Sequence, residues 1–129
     1  MSDIQQIGSP MRLTDGTLIP LAKGIKAGGF IFLSGQLGLD STGKLCSDDI
    51  AEQTKQTLNN IKALLEEGGV GIDRIIKATV WITDINDFAE FNKVYAEVFS
   101  EQPPARSTVV SALALPGAKV EIEVTALAT

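Results

Sequence analysis

The densest group of residues able to do chemistry lies late in the 129-residue chain, in Pro104-Ala105-Arg106-Ser107-Thr108-Val109-Val110 and in Leu115-Pro116-Gly117-Ala118-Lys119-Val120-Glu121-Ile122-Glu123. The first stretch reads as a strand, so Arg106, Thr108 and Val110 share one face while Ala105, Ser107 and Val109 share the other. An arginine on a sheet face is costly to bury unless an anion or a carboxylate pairs with it. Two partners suit it. Glu121 or Glu123 on a neighbouring strand could form an ordinary ion pair. Alternatively, the planar fork of Arg106 could grip a substrate carboxylate, with Glu121 close enough to position and polarise a water. A neighbouring guanidinium would keep Glu121 ionised and hence a weak base. A weak base suffices when the electrophile is already activated, as a protonated imine is.

The chain has no histidine, and its one cysteine is Cys46. Within one chain this excludes Ser-His-Asp and Cys-His catalysis, His-ligated zinc and Cys₄ clusters. Asp84, Asn86 and Asp87 supply too few oxygens for a calcium loop and are read as helix capping, so no metal is expected. Cys46 precedes a helix whose N-terminus could lower its pKa, yet a lone cysteine without a histidine reads as inert. Gly68-Gly69-Val70-Gly71 follows a helix instead of a strand, the wrong context for cradling phosphate. Eleven Lys and Arg against sixteen Asp and Glu give a net charge of −5, a field that repels a phosphate backbone. The opening residues Met1 to Gln6 have no basic start followed by an apolar run, and no stretch approaches the ~18 apolar residues of a membrane span. A soluble, cytoplasmic protein is expected, in keeping with a single cysteine.

The remaining pattern supplies the frame. Gly8, Pro10, Gly16, Pro20 and Gly24 punctuate one or two short strands. Phe30 to Leu33 is an apolar run of strand length. From Ser47 to Glu67, Ile50, Thr54, Leu58, Ile61 and Leu65 recur at helical spacing, with Ser47 as cap and Gly68-Gly69 as stop. Asp73 to Thr83 alternates, with Ile76, Ala78, Val80 and Ile82 on one face and Ile75, Lys77, Thr79 and Trp81 on the other. Asp87 to Phe99 is helical, with a stripe of Phe88, Phe91, Val94, Tyr95, Val98 and Phe99. Strands at Ala105–Val110 and Ala118–Ala128 close the chain. The order β-β-β-α-β-α-β-β makes one domain over residues 1–129: an α+β two-layer sandwich, with a mixed six-stranded sheet and two helices on one face. Apolar residues such as Trp81 and part of Phe30–Leu33 are left on the uncovered face, which predicts burial against another copy of the chain.

Ser34-Gly35-Gln36, Asn86-Asp87-Phe88-Ala89 with Asn92 and Tyr95, Pro104-Ala105-Arg106-Ser107, and Leu115-Pro116 with Val120-Glu121-Ile122-Glu123 together resemble the RidA (YjgF/YER057c/UK114) family from about Leu18 onward. The resemblance implies a chorismate-mutase-like fold, a homotrimer with ligand clefts between subunits, and hydrolysis of reactive 2-imino acids such as 2-iminobutanoate to 2-keto acids and ammonia. It implies no metal and no organic cofactor. By position, Arg106 would hold the carboxylate and Glu121 would orient the water, while Leu21, Ser34, Gly35, Asn92 and Thr108 would line the cleft. Family members usually carry Gly-Pro-Tyr where this chain has Ile19-Pro20-Leu21, so a phenol gives way to an apolar wall. Thr108 stands where a cysteine is frequent and keeps a small hydroxyl.

Two other functions compete with imine hydrolysis. Leu21 keeps open a trimer that captures a small carboxylate without turnover. Endoribonuclease, a label often attached to the family, ranks last: no histidine is present to act as acid or base, the charge is negative, and aromatics for base stacking are few.

Overall fold

The structure is a computed structural model and describes residues 3–129; Met1 and Ser2, part of the stretch read for a leader, lie outside them. Its strands are β1 (Gln5–Ile7), β2 (Gly24–Ala27), β3 (Phe30–Leu33), β4 (Ile75–Ile82), β5 (Ala105–Val110) and β6 (Val120–Leu127). The helices are α1 (Ile50–Glu67), between β3 and β4, and α2 (Phe88–Phe99), between β4 and β5. The six strands form one sheet ordered β1-β2-β3-β6-β4-β5. Only β4 and β5 run parallel, as expected of strands joined by a helical crossover. The architecture is the expected α+β sandwich with a mixed sheet.

Period-two alternation assigns the faces. Ile31, Leu33, Ala78, Val80, Ile122 and Val124 point into the core beneath the helices, together with Ile61, Leu65 and Phe91. Phe30 and Phe32 point the other way, exposed on the open face with ring centroids 6.1 Å apart. In β4 the expected faces hold from Ala78 onward but reverse at the start of the strand. A bulge between Ile75 and Lys77 buries Ile75 and turns Ile76 outward.

Other boundaries shift for local reasons. The cap of α1 is Asp49, whose carboxylate accepts from the Glu52 amide at 3.0 Å; Ser47 instead accepts from the Asp49 amide. The left-handed residue at the helix end is Gly69, with φ of +92°. Single 3₁₀ turns at Ile72–Arg74 and Ile85–Asp87 take up residues assigned above to β4 and α2, and Asp84 caps the second. Val98 is exposed on α2, and Phe88 is partly buried at the edge of the core.

A buried amide ties these layers together. Gln53 of α1 is fully buried; its Nε2 donates to the carbonyls of Ser47 and Gly117 at 2.9 and 3.0 Å, and its Oε1 accepts from the Lys119 amide at 2.8 Å. One side chain thereby fixes the turn that starts β6. Asn60, two turns along α1, donates to the carbonyls of Leu37 and Leu39 and holds down the loop after β3. Gln53→Met keeps the volume but leaves buried backbone groups without partners, so stability is expected to fall by about 2–4 kcal/mol. Urea denaturation checks this: the midpoint should drop with little change in slope.

Candidate functional site

The expected site residues fall into two groups at different places on the chain. The first sits at the β5 edge on the helix-covered face. Arg106 is opposite Ala78 in register, and Ala78 and its neighbour Val124 are core residues, so Arg106 points under α2. There its Nη1 donates to Asn92 Oδ1 at 2.9 Å. Its Cζ lies 4.8, 5.7 and 5.8 Å from the ring centroids of Tyr95, Phe91 and Phe88. Thr108 follows on the same face, opposite Val80.

The second group surrounds Glu121, which pairs with Trp81 on the open face. Gln36 and Ile122 exchange backbone hydrogen bonds at 2.8 and 3.0 Å, extending the β3–β6 pairing beyond Leu33 and laying Gly35 across the Glu121 carboxylate. A Cβ at position 35 would collide with that carboxylate, so a larger residue there would have to push the Glu121 side chain aside. Ser34 Oγ donates to the Ala22 carbonyl at 2.6 Å and its amide to Lys23, which ties the strand end to the segment carrying Leu21. Leu21 itself is exposed and lines a groove with Pro10, Leu18 and Ile19.

Arg106 and Glu121 therefore point to opposite faces of one sheet, and the ion pair between them, or with Glu123, does not form. Among the described residues the one ion pair is Lys55–Glu52. Within one chain no guanidinium lies beside Glu121, so the expected lowering is not found there: burial, and then the Glu123 charge, push its carboxyl above the usual range. Cys46 is exposed; partial burial, then Glu52 and Asp40, raise its thiol pKa, so the helix N-terminus does not activate it. The described residues hold no His, Cys, Asp or Glu cluster suited to a metal and no helix long and apolar enough to cross a membrane.

The family model described as Endoribonuclease L-PSP matches residues 16–128. A RutC family protein of Pyrococcus horikoshii is 50% identical over 91 residues, 70% of this chain and 72% of that one. The chloroplastic Reactive Intermediate Deaminase A of Arabidopsis thaliana is 42% identical over 106 residues, 81% of this chain and 56% of that one. The crystal structure of Escherichia coli TdcF with bound serine superposes with a TM-score of 0.82 at 36% identity, covering 95% of this chain and 98% of that one.

The chain belongs to the RidA (YjgF/YER057c/UK114) family. Its sheet and paired helices are the chorismate-mutase-like fold of that family. On the segment that Ser34 anchors, Leu21 presents an alkyl side chain to its groove. Sequence reading does not reveal the ring system around Arg106: there Phe88, Phe91 and Tyr95 belong to the α2 core stripe, and Phe88 and Tyr95 also to the family motif, without a link to Arg106. Their spacing on one helix face, with Asn92 between them, followed by a strand carrying a lone arginine, was the available signal.

The folded chain holds the Glu121 proton more tightly than the unfolded chain does, so this carboxyl costs stability as pH rises above its ordinary value of 4.5. For the dissociated chain, Glu121→Gln is accordingly expected to be more stable than wild type near neutrality, with the difference closing as pH falls through 4.5. Thermal unfolding of both proteins across pH 3.5–7.5 checks the direction.

Proposed function

We propose that this protein hydrolyses 2-imino acids to 2-keto acids and ammonia as a cytoplasmic homotrimer, each chain a single domain. The observation that carries the reading is a half-buried arginine with a neutral amide and aromatic rings around it, and no carboxylate paired with it. Such a guanidinium has its charge available for a substrate carboxylate, which it can accept through two parallel hydrogen bonds. A carboxylate fixed there leaves the adjacent C=N carbon to be attacked by water.

Glu121 is the group suited to that water. Within one chain, burial and the Glu123 charge raise its carboxyl above the usual range; the Arg106 guanidinium of another copy would oppose that, and a weak base still suffices for a protonated imine. As the water oxygen bonds to the iminium carbon, Glu121 takes one proton, and the C=N π electrons move onto nitrogen. Glu121 then returns that proton to the amine, the C–N bond breaks to release ammonia, and the hydroxyl proton passes to that ammonia as the carbonyl forms. The balance is iminium plus water giving keto acid plus ammonium.

Because Arg106 and Glu121 face opposite sides of one chain, a complete site needs the Arg106 group of one copy against the Glu121 group of another. The exposed Phe30 and Phe32 offer apolar surface for that contact. Leu21 favours an alkyl-bearing imine and also supports the second reading, carboxylate capture without turnover. RNA cleavage has no comparable support in a chain of net charge −5 without histidine.

The test generates 2-iminobutanoate and 2-iminopropanoate in place with an amino-acid oxidase and traps them with semicarbazide. Wild type should suppress trapping. Arg106→Ala should lose on the order of 10²–10³-fold in kcat/KM. Glu121→Gln should keep 2-oxobutanoate binding and lose about 10²-fold or more in turnover. Binding without any turnover in wild type would establish capture in its place. Co-refolding equal amounts of Arg106→Ala and Glu121→Gln should restore about a quarter of the sites, since each needs one intact half from each variant. No restoration would place both groups of a site on one chain.

A further inference from the structure

Arg106 is held in place without losing its charge. A carboxylate would fix a guanidinium well but would cancel the charge that an anionic ligand needs. Here the fixing groups are three aromatic rings and a neutral amide, presented by positions 88, 91, 92 and 95 of one α2 face. Ring faces attract a cation through their quadrupoles and carry no net charge, so the site as a whole stays positive.

We propose that Tyr95 is a positioning residue for Arg106: its ring, with Phe88 and Phe91, forms a charge-preserving seat that aims the guanidinium fork at an anionic ligand. This rests on the reading of Arg106 as the carboxylate anchor. Tyr95 has the nearest ring, 4.8 Å from Cζ, and packs against Phe91 on one side and Phe99 on the other, with centroids at 5.5 and 4.5 Å. The stack fixes the plane of the ring and with it the surface on which the guanidinium lies. The Tyr95 hydroxyl is buried and has no hydrogen-bond partner among the described residues, so the ring face and not the hydroxyl does the orienting. Asn92 completes the seat by holding one Nη1 proton, and the remaining donors of the fork have no partner among the described residues.

The seat is tested with Tyr95→Phe, Tyr95→Leu and Phe88→Leu, each in the full chain. The measurements are 2-oxobutanoate affinity by calorimetry, KM and kcat for 2-iminobutanoate, and the Arg106 guanidinium NMR signals. Tyr95→Phe keeps the ring and should stay within about twofold of wild type. Tyr95→Leu should weaken 2-oxobutanoate binding and raise KM by about tenfold with kcat nearly unchanged, and should average Nη signals that are distinct in wild type. Phe88→Leu, at a partly buried position, should do the same by about threefold and decides the matter if Tyr95→Leu fails to fold. A folded Tyr95→Leu with unchanged affinity and distinct Nη signals overturns the proposal. So does equal loss in Tyr95→Phe and Tyr95→Leu, which would assign the effect to the hydroxyl. If wild type neither turns over imines nor binds 2-oxobutanoate, the functional reading fails by itself, and the Nη signals still decide the seat: averaged signals in wild type overturn it.

Discussion

The register of three adjacent strands governs the rest of this molecule. Arg106 of β5 lies opposite Ala78 of β4, and Ala78 lies opposite Val124 of β6, while Trp81 lies opposite Glu121. Side chains change face at every residue along a strand, so this register commits Arg106 to the helix-covered side and Glu121 to the open side. A slip of one residue in either pairing would invert the core together with the site. The chemistry is thus locked to the same hydrophobic burial that stabilises the sheet.

Each half of the site is then tuned by what its face offers. Under α2, Arg106 meets rings and an amide, which hold a cation without neutralising it. On the open side, Glu121 lies against Gly35, and partial burial and then the charge of Glu123 favour its protonated form. Separate surroundings keep them from forming an ion pair within a chain.

Polar stitching keeps the loops in register with the strands. Gln53 binds the turn before Glu121, Asn60 binds the loop after Gly35, and Ser34 binds the segment after Leu21. The bonds of Gln53 and Asn60 reach irregular backbone from α1, so the helix positions the Glu121 side of the site although it packs on the other face of the sheet. Satisfied amides of this kind specify geometry more sharply than apolar contact does, because an unmade bond is costly.

By itself the sequence determined the element order, the α+β class and the family, because hydrophobic period, glycine and proline punctuation and local motifs are all short-range properties of the chain. It also marked Arg106, Glu121, Ser34 and Gly35 as residues worth attention. Only the tertiary structure decided that Arg106 and Glu121 face apart, since that depends on how β5, β4 and β6 align and not on the alternation within any one of them. The bulge that exchanges Ile75 and Ile76, the reach of Gln53 from α1 to Lys119, and the rings beneath Arg106 are likewise contacts between distant segments. Spacing along the chain carries which residues share a face; which faces meet is settled by packing.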